Sequence, residues 1–430
     1  MTVCVVSRLA WLLAGSFARS RYWSLGFLVC VALTAGRPAH AADASSPAWR
    51  AAHQLLGSQK PSGQFAFEHD FIPGRRRLDT NSNLGRLAYV TRQAAAAYGL
   101  SNYFLHDQNV DVARTLVAVL RNLEKLSLPI DKASGQAALE SMGILELPFG
   151  RYKLHNTMQW LGLLYRPNGQ GRLVSYDRSY ETAWGGATAL SLLTELQFYQ
   201  ASHDPQFAQL RQAWLKGLLV LYDGGRGFRE LPGSIDENTM SNAQVWLALA
   251  VYTRLFADDR ASAATIARVD DYMMRTYTAR PNANFYAWGM NAAAQRLRTT
   301  SDDKFRRFIA EQTRAYLNGL GPHPYSSENS CADVEGLATA LLVVEAAANP
   351  DRALIRRLRQ RVDSEMTKNL SLQIQPGQTR IEFGNGTFLS SPSVAHYAGA
   401  FLAGRYDPYV RIDYTEHCIS ALLTLGEVKH

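Results

Sequence analysis

Cysteine is scarce in this chain, with four residues in 430, at positions 4, 30, 331 and 418. So few exclude a small fold framed by disulfides, and no two are spaced as CxxC, the usual zinc or dithiol motif. HExxH, GxSxG, GxGxxG and the P-loop pattern are also missing. Zinc-protease, serine-hydrolase, dinucleotide and nucleoside-triphosphate chemistry therefore have no motif behind them. The histidines are dispersed, His155, His396 and His417 among them, so a His/carboxylate metal site would have to be assembled by the fold. No cofactor and no metal is expected. Lys and Arg form no extended tract, which leaves nucleic-acid binding unsupported.

Acidic residues are absent from positions 1–41, a stretch that carries Arg8, Arg19, Arg21 and Arg37. Three of these arginines precede the apolar run "WSLGFLVCVALTAG", and "AHA" (Ala39 to Ala41) follows. A basic start, a short apolar run and small residues read as a secretory signal peptide, because the run is short for a membrane span. The expectation is a mature protein of residues 42–430, exported to the periplasm or secreted, with no stable membrane span. It would hold 41 basic and 37 acidic residues, a balance of +4 that is weakly compatible with an acidic polymer as substrate. Cys4 and Cys30 leave with the leader, and export places Cys331 and Cys418 where a disulfide can form.

What the chain has in quantity is helical pattern of two kinds. One kind is rich in Ala, Leu and small residues and suits packing on two sides: 83–100, 184–201, 240–256, 288–299, 332–348 and the segment from Asp413. The other is amphipathic and charged: 48–59, 110–126, 205–222, 261–277, 302–317 and 351–366. In the last, Leu354, Leu358 and Val362 recur at i, i+4 and i+8 with arginines between. Ser, Asp or Asn stands before several charged helices in "SHDP", "SDD" and "NPD", with Pro205 and Pro350 near the first turn. From Trp184 onward the units repeat, and "PSGQFAFEHD" (61–70) is echoed by "PNGQGRLVSYD" (167–177) and "GGRGFRE" (224–230), each a Gly-led turn and short strand. Six buried helices alternating with six charged ones predict an all-α fold, an (α/α)6 toroid with a few short strands in its loops. It forms a single domain over 42–430, interrupted by an insertion around 129–165. An open α-solenoid is the alternative, but "CISALLTL" is too apolar for a terminal cap.

Convergent polar groups are expected where the loops leading into the inner helices meet. Those loops read "DTNSN", "YDRSYETAW", "DENTMSNAQ", "NFYAWGMN", "YSSENSCADVE", "SPSVAHY" and "RIDYTEH". Taken singly, Asp236 and Asn238, or Ser330 and Asp333, suit helix caps and first turns. Caps do not need tyrosine and tryptophan at five of seven loops; aromatic faces beside carboxylates and amides suit a sugar ring. The candidate catalytic groups are Tyr414, His417, Asp413, Glu335 and Glu237. Candidate substrate contacts are Asn83 and Arg86 from the first loop; Asp177, Tyr180, Glu181 and Trp184 from the second; and Asn242, Trp288, His396 and Arg411 from the others. Asp413 and His417 stand at i, i+4, where the acid can orient the imidazole, while a first-turn acid stabilised by the helix dipole is the plainer account of Asp413 and Glu416.

"VRIDYTEHCISALL" resembles the C-terminal segment of D-glucuronyl C5-epimerases, with its Arg-x-Asp-Tyr core, a histidine and an Ile/Leu run. "LVLYDGGRGF" (219–228) resembles that family's Leu-Tyr-Asp-x-Gly-x-Gly stretch. The resemblance carries over to Arg411, Asp413 and Tyr414; His417 stands one residue earlier than the family's histidine. More broadly the chain resembles toroid proteins that act on glycans, among them polysaccharide lyases and glycoside hydrolases. It implies an exported enzyme acting on a polysaccharide, such as a uronate-containing exopolysaccharide, by C5 proton abstraction of epimerase or lyase type. Arg411 would neutralise the uronate carboxylate, and Tyr414 or His417 would move the proton. Tyr180 and His396 stand in reserve. The alternatives are a glycoside hydrolase with paired carboxylates, drawn from Asp177, Glu181, Glu237, Glu335 and Asp413, and a non-catalytic glycan-binding protein of polysaccharide assembly or export.

Overall fold

The structure is a computed structural model that describes residues 45–72, 80–130, 170–224, 227–232, 234, 237–322 and 326–428. The expected leader (1–41) and most of the expected insertion (129–165) lie outside the described residues. Those described belong to one compact unit, residues 39–430.

Twelve α-helices occur among the described residues, and they alternate as the two patterns predict. The inner ring is α2 (Asn83–Asp107), α4 (Gly185–Ser202), α6 (Thr239–Leu255), α8 (Ala283–Thr300), α10 (Cys331–Glu345) and α12 (Ile412–Val428). The outer helices are α1 (Pro47–Ser58), α3 (Val110–Lys125), α5 (Ala208–Leu221), α7 (Arg260–Ala279), α9 (Asp303–Ala315) and α11 (Arg352–Ser371). Each inner helix packs on the next, and α12 returns to pack on α2, so the ring closes and the open solenoid is excluded. The fold is an (α/α)6 toroid.

The local causes are those the sequence shows. Every residue of α4 from Gly185 to Phe198 is buried, as a helix apolar all round requires. On α11 the buried Leu354, Leu358 and Val362 form the inward stripe. Asp302 accepts from Lys304 N and Asp351 from Ala353 N and Leu354 N, so two of the predicted start signals are true caps. In the third, Asp204 accepts from Gln206 N and closes a turn before the helix instead. Ser330 flanks α10 without capping it, and donates to Glu365 Oε2 of α11.

The inner helices run parallel, with their N-terminal ends on one face. Loops that lead into them carry the short strands: β1 (Glu68–Asp70), β2 (Ser127–Ile130), β3 (Gly171–Val174), β4 (Arg380–Glu382), β5 (Phe388–Ser390), β6 (Leu402–Gly404) and β7 (Asp407–Arg411). All pairings are antiparallel: β1–β7–β6, β2–β3 and β4–β5. Glu68 pairs with Arg411 across β1 and β7, which anchors the last loop just before α12. The opposite face has tight turns instead. Gln108 and Asn109 alone join α2 to α3, and Gln108, His203 and Ser301 take left-handed conformations that end α2, α4 and α8.

Cys331 and Cys418 form a disulfide between α10 and α12, with Cα atoms 4.8 Å apart. Replacing both by serine should lower the unfolding free energy by about 2–4 kcal/mol, read from urea denaturation. An unchanged denaturation midpoint would show that the ring is held at this seam by packing alone.

Candidate functional site

The polar side chains on the N-terminal face are largely engaged with one another. Arg86 pairs with Asp177 at 2.9 Å, both partly exposed. Tyr180 donates its hydroxyl to Pro129 O at 2.7 Å, and Trp184 Nε1 donates to Ser241 Oγ at 2.6 Å. Glu237 accepts from Tyr272 Oη and from Asn242 Nδ2, while buried Asn242 also accepts from Phe228 N and so fixes the loop before α6. Asn83 is the first residue of α2, Glu181 is exposed in a short 3₁₀ turn, and His396 is exposed in another.

Arg411 lies at the end of β7. Its Nε and Nη2 both donate to Asp413, and Nη1 donates to Tyr409 Oη at 2.7 Å. Arg92 of α2 stands 3.2 Å from the same carboxylate. Burial opposes the charge on Asp413, but Arg411 and Arg92 outweigh it and hold its pKa below the usual value. Tyr414 lies beneath the Arg411 guanidinium, 4.4 Å from ring centroid to cation, and edge-on to Tyr409. Burial pushes its hydroxyl pKa up. Arg411 is therefore matched to an internal acid.

One turn deeper, three helices bring together groups far apart in sequence. Glu335 of α10 is 2% exposed; its Oε1 accepts from Asn291 Nδ2 of α8 at 3.1 Å and its Oε2 lies 3.1 Å from His417 Nδ1 of α12. Trp288 of α8 leans on the imidazole, centroids 5.6 Å apart, and Tyr98 of α2 leans on Trp288. Glu416, wholly buried, has Oε2 3.4 Å from His417 Nδ1, yet neither of its oxygens accepts a hydrogen bond among the described residues. Burial raises the Glu416 pKa well above the usual carboxylate range, and His417 only partly offsets this. For His417, burial opposes the charge, but Glu416, Glu335 and Asp413 together raise its pKa to about 9.

The close approaches depend on glycine. A Cβ on Gly99 of α2 would stand 2.5 Å from Glu416 Cγ, and one on Gly336 of α10 would stand 2.8 Å from Ala287 Cα of α8. Glu335, Glu416 and His417 each offer one ligand atom, all within 4.8 Å of one another, so the only metal-capable trio among the described residues is this one.

A cavity also lies at the end of the ring opposite the loops. A space of about 290 Å³ lies on the ring axis, lined from all six inner helices, with Glu335 and Tyr98 at its inner end. It lies among the C-terminal halves of the inner helices, away from the loops where sequence reading put it. Among the described residues, long strand-bearing loops and their paired side chains crowd the N-terminal face, whereas tight turns join the helices on the other face. Its walls carry Asn102, Gln197, Asn291, Thr339 and Ser420. Of the sequence candidates, Glu335, Trp288, His417, Asp413, Tyr414 and Arg411 gather along α12 and its neighbours. Arg86 with Asp177, and Glu237 with Asn242, form separate groups. Sequence reading passed over Tyr98, Asn291 and Arg92, and took Glu416 for a first-turn acid; adjacency to His417 was its one signal.

The raised His417 pKa carries a sign. Relative to the ordinary histidine value of 6.5, stability from this group is full below that pH and is lost as pH rises through about 9. The urea midpoint should fall between pH 7 and 10, with a shallower fall in His417→Gln; an identical fall in both would assign it to other groups. Gly99→Ala should displace Glu416 and destabilise the fold by about 1–3 kcal/mol, measured the same way.

No family model matches the chain, and no curated protein matches it significantly. Solved structures do. The GH76A α-1,6-mannanase from a Salegentibacter species shares the fold with a TM-score of 0.57, 8% identity, and coverage of 89% of this chain and 98% of that one. An unsaturated glucuronyl hydrolase specific for heparin matches with a TM-score of 0.53, 10% identity, and coverage of 89% and 96%. The cellobiose 2-epimerase from Spirochaeta thermophila matches with a TM-score of 0.50, 12% identity, and coverage of 89% and 95%. Across nearly its whole described length, this chain has the fold of enzymes that act on saccharides.

Proposed function

We propose that the protein is a carbohydrate-active enzyme that acts on a polysaccharide by abstracting the C5 proton of a uronyl unit, in the manner of an epimerase or lyase. The observation that carries this reading is the 3.1 Å contact between Glu335 Oε2 and His417 Nδ1 at the inner end of a polar cavity that Glu335 lines. A C5 proton is weakly acidic, so a base and a cation have to stand together where charge develops. Glu335 is the base that reaches a bound sugar, and Asn291 and His417 hold its two oxygens in place. His417, protonated past neutral pH, supplies the cation and a proton for the departing oxygen or for the return to carbon. This places neutralisation of the uronate on His417, because the Arg411 fork is filled by Asp413 and Tyr409. Tyr414, on the N-terminal side of the cluster, supports Arg411.

The similar folds belong to proteins named for saccharide substrates, and an inactive variant of the mannanase is known with α-1,6-mannotetrose bound. A hydrolase with paired carboxylates has less behind it. Glu335 is the only carboxylate among the described residues that line the cavity, and Glu416 is wholly buried. That mannanase variant replaces two adjacent aspartates. The adjacent pairs in this chain, Asp258–Asp259, Asp270–Asp271 and Asp302–Asp303, all lie in or just before outer helices. Export, with residues 1–41 as a leader, is part of the proposal; the Cys331–Cys418 disulfide suits an oxidising compartment.

Incubation of the mature protein with acidic and neutral polysaccharides, followed by NMR and ultraviolet absorbance, tests the reaction. Elimination gives an ultraviolet-absorbing unsaturated uronate, and epimerisation changes the sugar configuration without cleavage. New reducing ends alone would sink the proton-abstraction reading in favour of hydrolysis. Glu335→Gln and His417→Gln should each lower turnover by about 10²–10⁴ with an unchanged circular dichroism spectrum. Tyr414→Phe should keep turnover; a comparable loss there would move the proton-transfer role to the tyrosine.

A further inference from the structure

Glu416 is a buried acid to which the proposed reaction gives no task. It is wholly enclosed on α12, pressed against Gly99 of α2, and neither carboxylate oxygen has a hydrogen-bond partner among the described residues. A buried carboxylate is costly without a partner, so it points to a group that supplies one. Protonation removes the charge but gives the oxygens no partner among these residues. The carboxylate faces two other groups able to bind a cation. Its Oε2 stands 3.4 Å from His417 Nδ1, and that nitrogen stands 3.1 Å from Glu335 Oε2. Zinc bonded at about 2.0–2.2 Å in a tetrahedron sets its ligand atoms roughly 3.3–3.6 Å apart. The three atoms here lie within 4.8 Å of one another, so a small turn of one carboxylate closes them on an ion.

We infer that Glu335, Glu416 and His417 form a binding site for one divalent transition-metal ion, zinc by the chemistry of its ligands, held between α10 and α12. Two carboxylates balance the charge of the ion. The imidazole selects zinc over calcium and magnesium, which favour oxygen ligands alone. The surroundings hold the ligands in place. Asn291 Nδ2 donates to the other oxygen of Glu335, as a partner that orients a ligating carboxylate does. The disulfide ties the two helices together, with Cys418 next to His417 and Cys331 four residues before Glu335, and it removes both thiols as competing ligands. Entry is open, since Glu335 lines the axial cavity and the His417 side chain is 18% exposed. On binding, the ion takes the Nδ1 lone pair of His417 and the proton held there passes to solvent. The site goes beyond the proposed reaction, and the two exclude one another, because both need Glu335 Oε2 and His417 Nδ1.

Calorimetric titration of the chelator-stripped mature protein with Zn²⁺, in two buffers of different ionisation enthalpy, tests it. One ion should bind per chain with release of protons. Co²⁺ in its place should give visible absorption bands that added Zn²⁺ abolishes. Mg²⁺ and Ca²⁺ should bind at least about 100-fold more weakly. Glu416→Gln keeps the shape of the side chain and should weaken Zn²⁺ by about 100-fold or more with an unchanged circular dichroism spectrum, since even the partners that orient a metal ligand contribute about 10–100-fold. His417→Gln should lose as much, and its site is partly exposed, so it reports even where Glu416→Gln does not fold. No zinc bound by the native chain, equal zinc affinity in either folded variant, or Mg²⁺ or Ca²⁺ bound as tightly as Zn²⁺ would each overturn the inference. The readout is binding and not turnover, so its failure is distinct from failure of the proposed reaction.

Discussion

Closure of the inner ring is the constraint on which the rest depends. A helix such as α4, buried on every side, has no solvent face, so it is stable only between two like neighbours and an outer helix. The return of α12 onto α2 satisfies the last open side. That seam needs Gly99 on α2, and it is there that Glu416 is pressed into a site with no hydrogen-bond partner among the described residues. The disulfide fixes the other side of α12, to α10, beside His417 and four residues before Glu335.

The electrostatics of the site follow from this packing. Parallel inner helices aim their first turns at one face, and each brings a polar residue to the axis. Where acids and arginines meet with room to pair, as at Asp413 with Arg411 and Arg92, they neutralise one another. Where the ring is tightest, two carboxylates share one imidazole, which keeps His417 charged past neutral pH, while burial raises the Glu416 pKa well above its usual range. Among the described residues the two faces differ because of chain connectivity: long loops with strands lie on one, and turns of a few residues on the other, where the polar cavity lies.

Most of the fold was legible in sequence, since its causes are local. Period 3.6 patterns, capping residues such as Asp302 and Asp351, and Gly-led turns are properties of short segments, and the twelve helices fall where those patterns put them. Closure itself is shown by the return of α12 onto α2. Leader cleavage and the insertion fall on residues outside those described.

The site divides differently. Sequence alone determined that Asp413, Tyr414 and His417 would stand in the first two turns of α12 with Arg411 just before it, because these neighbours lie close along the chain. Tertiary structure alone decided that Arg411 turns to Asp413, that Glu335 meets His417 across 82 residues, and that Glu416 is buried without a partner. It also decided which end of the ring holds the cavity. The physical reason is range. Periodicity and capping act within a few residues, whereas the pairing of charges and the shape of a void depend on which helices close upon each other.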